Sequence, residues 1–173
     1  MNHNGMPALE QISANNVLAF KTARLWALKD SPSAFGSTYA REAAFSDAEW
    51  QTRAANMNGE KRIGYLAMDS GAPCGIAAGF LDDHDAARAH LVSMWVAPGY
   101  RRTGTGSLLV GAIQAWARTR GVHELRLMVT NSNQGAIAFY ERQGFSLTGN
   151  TEQYPNDSSL IEYEMSLMIP RES

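Results

Sequence analysis

The sequence predicts a mixed α/β fold, with about seven strands in one central sheet flanked by about four helices. Three observations predict it. Apolar residues switch repeatedly between strict alternation and helical spacing. The elements so marked run strand, two helices, three strands, helix, strand, helix, two strands, an order that fits neither an all-helical nor an all-strand layering. A glycine-rich turn, Gly99 to Gly106, joins a strand to a helix at mid-chain.

Leu9 to Ile12 predicts a short first strand. Asn15 or Asn16 can cap a helix carrying Leu18, Phe20, Ala23, Leu25, Trp26 and Leu28, and Asp30-Ser31-Pro32 ends it because proline cannot continue a helix. Ser33 to Tyr39 reads as a polar and aromatic loop. Ser46-Asp47-Ala48-Glu49 resembles a capping box, opening a second helix through Trp50 to Met57. Arg62 to Met68 and Gly75 to Phe80 are strands joined by Asp69-Ser70-Gly71-Ala72-Pro73, a hairpin-loop composition. Asp82-Asp83-His84-Asp85 lacks the Gly and Glu of a calcium loop and reads as a solvated turn. Ala89 to Val96 is a third long strand. Leu108, Leu109, Ala112, Ile113, Trp116 and Ala117 follow helical spacing, with Gly121 just past the end as a left-handed cap. Leu125, Leu127 and Val129 alternate with Arg126, Met128 and Thr130 as a strand. Asn133 can cap a last helix running to Gln143, where Gly144 caps it and Phe145 can pack back on Phe139 or Tyr140. Strands around Phe145 to Asn150 and Ile161 to Ile169 complete the order.

Composition narrows the function classes. The 173 residues fit one domain, 1–173, and 45% hydrophobic residues supply an ordinary core. Lys+Arg 15 against Asp+Glu 17 leaves a net charge of −2, and no basic run exceeds Arg101-Arg102, so no nucleic-acid partner is expected. The one cysteine, Cys74, cannot form an intrachain disulfide, which suits a reducing, cytoplasmic setting. Within Cys74-Gly75-Ile76-Ala77 it reads as a small packed hydrophobe rather than a nucleophile. Met1 to Pro7 has no signal-peptide pattern, and no apolar run approaches the ~20 residues of a membrane span, so no membrane partner is expected. His3, His84, His90 and His123 show no metal-ligand spacing, and no metal is expected.

The segment richest in chemistry runs from Val92 to Ser107. A strand ends at Pro98, a tight loop follows, and a helix begins within Thr103 to Ser107. The first turn of a helix presents unpaired N–H groups and the positive end of the dipole. Gly104 and Gly106 carry no side chain, so an anion can approach, and Arg101 and Arg102 add charge. A P-loop would need Lys where Thr105 stands, after the glycine pair Gly99 and Gly104. A dinucleotide fingerprint would need a small residue where Leu109 stands. Arg101-Arg102-Thr103-Gly104-Thr105-Gly106 instead matches Arg/Gln-x-x-Gly-x-Gly/Ala.

With a second block, Asn133-Gln134-Gly135-Ala136-Ile137-Ala138-Phe139-Tyr140-Glu141-Arg142-Gln143-Gly144-Phe145, the chain resembles the GNAT superfamily of acyl-CoA N-acyltransferases. That block is similar to the family's Asn-x-x-Ala-x-x-x-Tyr-x-x-x-Gly-Phe pattern. One helix and one strand lie between the two blocks, in the family's order. The resemblance covers Arg62 to Met168 best. It implies acetyl-CoA as co-substrate, bound by the backbone of Met94, Trp95 and Val96 along its pantetheine arm. The pyrophosphate would lie on the amides of Arg102, Thr103, Gly104, Thr105, Gly106 and Ser107, beside Arg101. Asn133 would contact the arm, and Tyr140 would act as general acid to the departing thiolate. A strand-end amide would stabilise the carbonyl oxygen. The resemblance implies transfer to a primary amine of a small molecule or peptide, and it is compatible with a homodimer. The same cradle would also serve a non-catalytic acyl-CoA sensor, and the glycine turn alone would serve a nucleotide-binding protein.

The acceptor side is less marked. Phe35, Tyr39 and Phe45 can line an acceptor pocket or plug the domain, and Trp95 can flank the acyl channel. Glu42, Glu10, His90 and Glu162 are candidate bases, each also readable as a solvated surface residue, and a water can take the role instead. The small negative charge mildly favours a cationic acceptor.

Overall fold

A computed structural model describes residues 5–171; residues 1–4, which include His3 and the start of the Met1 to Pro7 segment, and residues 172–173 lie outside the described residues. Seven strands, β1 (Ala8–Gln11), β2 (Arg62–Asp69), β3 (Ala72–Leu81), β4 (Arg88–Val96), β5 (Glu124–Thr130), β6 (Ser146–Gln153) and β7 (Ile161–Met168), form one sheet in the order β1-β2-β3-β4-β5-β7-β6. The helices are α1 (Val17–Asp30), α2 (Tyr39–Ala43), α3 (Asp47–Ala55), α4 (Thr105–Thr119) and α5 (Gln134–Arg142). The expected four helices are thus five among the described residues. The extra one, α2, is a single turn in the stretch after the expected loop, capped by Thr38, whose Oγ1 accepts from the Arg41 N–H. It is too short to carry a readable period.

Local chemistry sets the helix ends. Ser46 and Glu49 make both bonds of the capping box on α3. Gly121 and Gly144 have φ +74° and +102°. The following Val122 and Phe145 amides reach back to the Ala117 and Tyr140 carbonyls, each at 3.0 Å. Asn16 departs from expectation. It holds the N-cap position of α1 but makes no cap bond; its side chain accepts from Ser13 N–H and donates to the Gln11 carbonyl, closing the turn before the helix.

The two sheet faces carry separate apolar clusters. Phe20, Leu28, Trp50, Leu66, Ile76 and Trp95 pack on the α1 and α3 side. Leu109, Ile113 and Trp116 of α4, with Ile137 and Tyr140 of α5, pack against Ala67, Ala77, Leu91 and Leu125 on the other. Fully burying each of the larger side chains contributes about 1.5–3 kcal/mol.

Two irregularities prepare the site. All strand pairs are antiparallel except β4 with β5, whose parallel ladder joins only Arg88 to Glu124, Ala89 to Leu125 and His90 to Arg126. Beyond these pairs the two strands run on to Val96 and Thr130 without pairing with each other, so the sheet opens between them. β4 also bulges against β3 between the Val92 and Trp95 pairs, with Ser93 at φ +58°. An extra residue moves every later side chain to the opposite face. Leu91 therefore packs on the α4 side, and beyond the bulge Met94 and Val96 do so while Trp95 packs on the α1 side.

Candidate active site

A cavity of about 470 Å³ occupies the opening between β4 and β5 and passes through the sheet. Leu91, Met94, Leu127, Val129, Asn133, Ala136 and Tyr140 line it toward α4 and α5. Arg24, Phe35, His90, Ser93, Arg126, Thr130, Tyr154 and three glutamates line it elsewhere.

On the first side, α4 starts at Gly104, whose φ of +91° demands glycine and which brings no capping side chain. The first intrahelical bond recorded at this end is from Leu108 N–H to the Gly104 carbonyl, 3.1 Å. The amides of Thr105, Gly106 and Ser107 therefore have no intrahelical acceptor. By contrast, Asn133 caps α5, accepting from Ala136 N–H at 3.1 Å. A 15-residue helix left without a side-chain cap suits an anionic group such as a pyrophosphate. Gly106 has a different reason from the one expected. A Cβ there would stand 2.9 Å from the Phe139 ring, so its missing side chain lets α5 close on α4 rather than opening the amides.

The two arginines also separate. Arg101 Nε donates to the Val96 carbonyl at 2.9 Å and Nη2 to Asp30 Oδ2 at 2.6 Å, so Arg101 ties the loop to the end of α1 instead of adding free charge. Arg102, at φ +63°, is exposed and has no ion-pair partner among the described residues. Thr103 Oγ1 donates to the Tyr100 carbonyl, Thr105 is fully buried, and Ser107 Oγ accepts from Gln143, the residue just after α5, at 2.9 Å.

Tyr140 is buried on α5, its ring edge-on to Phe139 and Phe145. Its hydroxyl makes no hydrogen bond among the described residues. Burial pushes the phenol well above its usual range, so it keeps its proton at neutral pH.

The acceptor-side expectations divide. Phe35 lines the cavity, held there by Tyr154, whose hydroxyl lies 2.5 Å from the Phe35 carbonyl and 3.0 Å from that of Pro32. Tyr39 is 42% exposed, lies beside Lys29 and is outside the cavity wall. Trp95 does not flank the channel. The bulge turns it toward α1, where Nε1 donates to Asp30 Oδ2 at 3.0 Å. That bond, with Ser31 and Arg101, holds the Asp30 carboxyl below its usual range despite the cost of partial burial.

Of the candidate bases, Glu10 is exposed on β1, away from the cavity, while His90 and Glu162 line it. His90 shares its Nε2 with Asp82 Oδ2 at 2.7 Å. Glu42 is no solvated surface residue: it is 1% exposed. Burial opposes its charge, but Arg24 at 2.9 Å and Arg53 at 2.8 Å hold its carboxyl down at about 2. Arg24 spends its remaining reach on Ser93 Oγ, 2.9 Å away at the bulge. Arg24, Ser93, Thr130, Glu152, Tyr154 and Glu164 carried no sequence signal. They come from five different elements and a loop, and no local spacing links them.

The profile of the acetyltransferase (GNAT) family matches residues 23–145. Streptothricin acetyltransferase of Streptomyces lavendulae is 38% identical over 76 residues, covering 43% of this chain and 40% of that protein, so the chain spans about two fifths of that curated relative. Among solved structures, a nourseothricin acetyltransferase is 30% identical with a TM-score of 0.60, over 64% of this chain and 67% of that one. A Salmonella typhimurium protein solved with its cofactor acetyl-CoA shares the fold, with a TM-score of 0.79 over 98% of this chain and 97% of that one at 15% identity. The family match covers more than half the chain and takes in the uncapped start of α4, the open stretch of β4 and β5, and Tyr140: the chain belongs to the acetyltransferase (GNAT) family.

Proposed function

We propose that the chain is one acetyl-CoA-dependent N-acetyltransferase domain, moving an acetyl group to a primary amine of a small molecule or peptide by direct attack in a ternary complex. The observation that carries this reading is the cavity through the open sheet. It lets a cofactor on the α4–α5 side meet an acceptor arriving from the other. Bound acetyl-CoA would supply an acyl thioester in that opening. The amides of Thr105, Gly106 and Ser107, with Arg102, would hold its pyrophosphate. The backbone of Met94 and Val96 would align the pantetheine arm, and Asn133 would sit beside that arm while capping α5. Tyr140, which keeps its proton, would donate to the sulfur as charge develops there. Direct attack is supported by the state of the only thiol. Cys74 is buried, its Sγ donates to the Ala67 carbonyl at 3.4 Å, and burial raises it to about 11, so it offers no acyl relay. A buried, unpaired cysteine also suits a cytoplasmic setting.

Free thiol release from acetyl-CoA, followed with a panel of amines, tests the proposal. Amine-dependent release is expected. Tight acetyl-CoA binding with no turnover on a broad panel would instead mark an acyl-CoA sensor, and a titration showing no acetyl-CoA binding would sink both.

A further inference from the structure

The cavity wall formed by β6, β7 and the end of β5 contains a row that the proposed chemistry leaves unused. Glu152 of β6 and Glu162 of β7 are direct partners in the antiparallel ladder, and Glu162 is in turn the partner of Thr130 on β5. All three residues line the cavity. Like charges directly opposite one another destabilise a sheet. No cation or hydrogen-bond donor of the described residues reaches either carboxylate, of which Glu152 is exposed at the cavity rim and Glu162 is half-buried. Glu164, two positions along β7, shows what relief looks like. It accepts from Thr148 Oγ1 at 2.9 Å and Asn150 Nδ2 at 3.0 Å, with Arg126 at 3.6 Å. The third member of the row is independent of charge. Thr130 is 3% exposed, and its Oγ1 is buried with no hydrogen-bond partner. A buried hydroxyl without a partner is costly, and partial burial, with Glu152 opposite, pushes the Glu162 carboxyl above its usual range.

An ammonium answers this row: its N–H donors can bridge the two carboxylates at the cavity wall, and rotation of Thr130 about χ1 would turn its partnerless, buried Oγ1 toward them as a further acceptor. We propose that Glu152, Glu162 and Thr130 form an ammonium subsite on the acceptor side of the cavity, selecting acceptors that are di- or oligoamines. The proposal rests on the acetyltransferase reading. The ammonium held here is not the reacting one. Two carboxylates favour the charged form of an amine, and a charged amine has no lone pair with which to attack. The subsite therefore anchors a second amine of the same molecule and leaves the first free to lose its proton nearer the thioester.

Spermidine and butylamine serve as probes with and without additional charge. The wild-type kcat/KM for spermidine should exceed that for butylamine by more than about tenfold, and Glu152→Gln with Glu162→Gln should collapse that ratio through KM. Acetyl-CoA affinity should stay within about twofold, since the row lies away from the helix start of α4. The double variant should be at least as thermally stable as the wild type, because it removes a repulsion; a merely structural pair would lower the midpoint. Calorimetric titration of spermidine into the CoA-saturated protein reads the subsite without turnover. Binding should weaken about tenfold or more in the double variant and measurably in Thr130→Val. Equal spermidine binding by wild type and double variant, or a wild-type spermidine-to-butylamine ratio near one, overturns the subsite. Glutamate-dependent spermidine binding with no acetyl transfer to any amine overturns the acetyltransferase reading and leaves the subsite standing.

Discussion

At the scale of single residues, Tyr140 illustrates how packing sets chemistry. Its hydroxyl has no hydrogen-bond partner among the described residues and lies in a wall of largely apolar side chains, so burial keeps the phenol protonated. That makes it a donor and not a base. Tyr140→Phe is expected to lower kcat by about 10²-fold while changing acetyl-CoA affinity less than about threefold, as steady-state kinetics and calorimetry will show. Gly106 and Gly104 fail differently when replaced. Gly106→Ala drives a Cβ to within 2.9 Å of Phe139 and should cost about 1–3 kcal/mol in denaturant unfolding as α5 is pushed from α4. Gly104→Val meets a backbone φ of +91° and should cost about 1–3 kcal/mol and weaken acetyl-CoA binding, because the turn that presents the α4 amides is strained.

At the scale of elements, the group centred on Glu42 holds four segments together. Arg24 of α1 and Arg53 of α3 grip Glu42 of α2, and Arg24 also reaches Ser93 at the β4 bulge. Arg24→Ala removes two of the three guanidinium bonds on the buried Glu42 carboxylate and leaves only Arg53, so it should destabilise by up to about 3–5 kcal/mol. The pH dependence has a definite sign. The Glu42 carboxyl sits at about 2 in the folded chain against 4.5 ordinarily, so its stabilising share is complete above 4.5 and is lost as pH falls toward 2. That share is about 3 kcal/mol. Glu42→Gln should therefore be less stable at neutral pH and lose less on acidification, which urea unfolding at several pH values will show. Because the network also reaches the bulge, the same variants should raise KM for the acceptor more than for acetyl-CoA.

At the scale of the whole molecule, the sheet is joined across its middle by only three parallel pairs, and the cavity occupies the gap beyond them. A cofactor spanning that gap would bridge both halves. Acetyl-CoA at about 100 times its Kd should stabilise the fold by about 2.7 kcal/mol. For a chain of this length that raises the unfolding midpoint by about 5–10 °C, measurable by scanning calorimetry. A ligand-independent midpoint would argue against binding in the opening. No helix among the described residues is long and apolar enough to cross a membrane.

The sequence by itself determined the order of the strands, the long helices and several of their ends. A period, a capping box at Ser46 and Glu49, or a glycine at 121 or 144 acts through neighbours a few residues away, and such neighbours are written consecutively. The glycine turn before α4 and the Asn133 to Phe145 block were legible for the same reason. Only the tertiary structure decided which way Trp95 faces, because one extra residue at Ser93 reverses the alternation and nothing in the local composition announces it. It also decided that Glu42 is buried and that Arg101 is spent on Asp30. The row of Thr130, Glu162 and Glu152 belongs to the same class. Strand register places these three side by side from three separate strands, and a charge's meaning depends on what stands opposite it rather than on what precedes it in the chain.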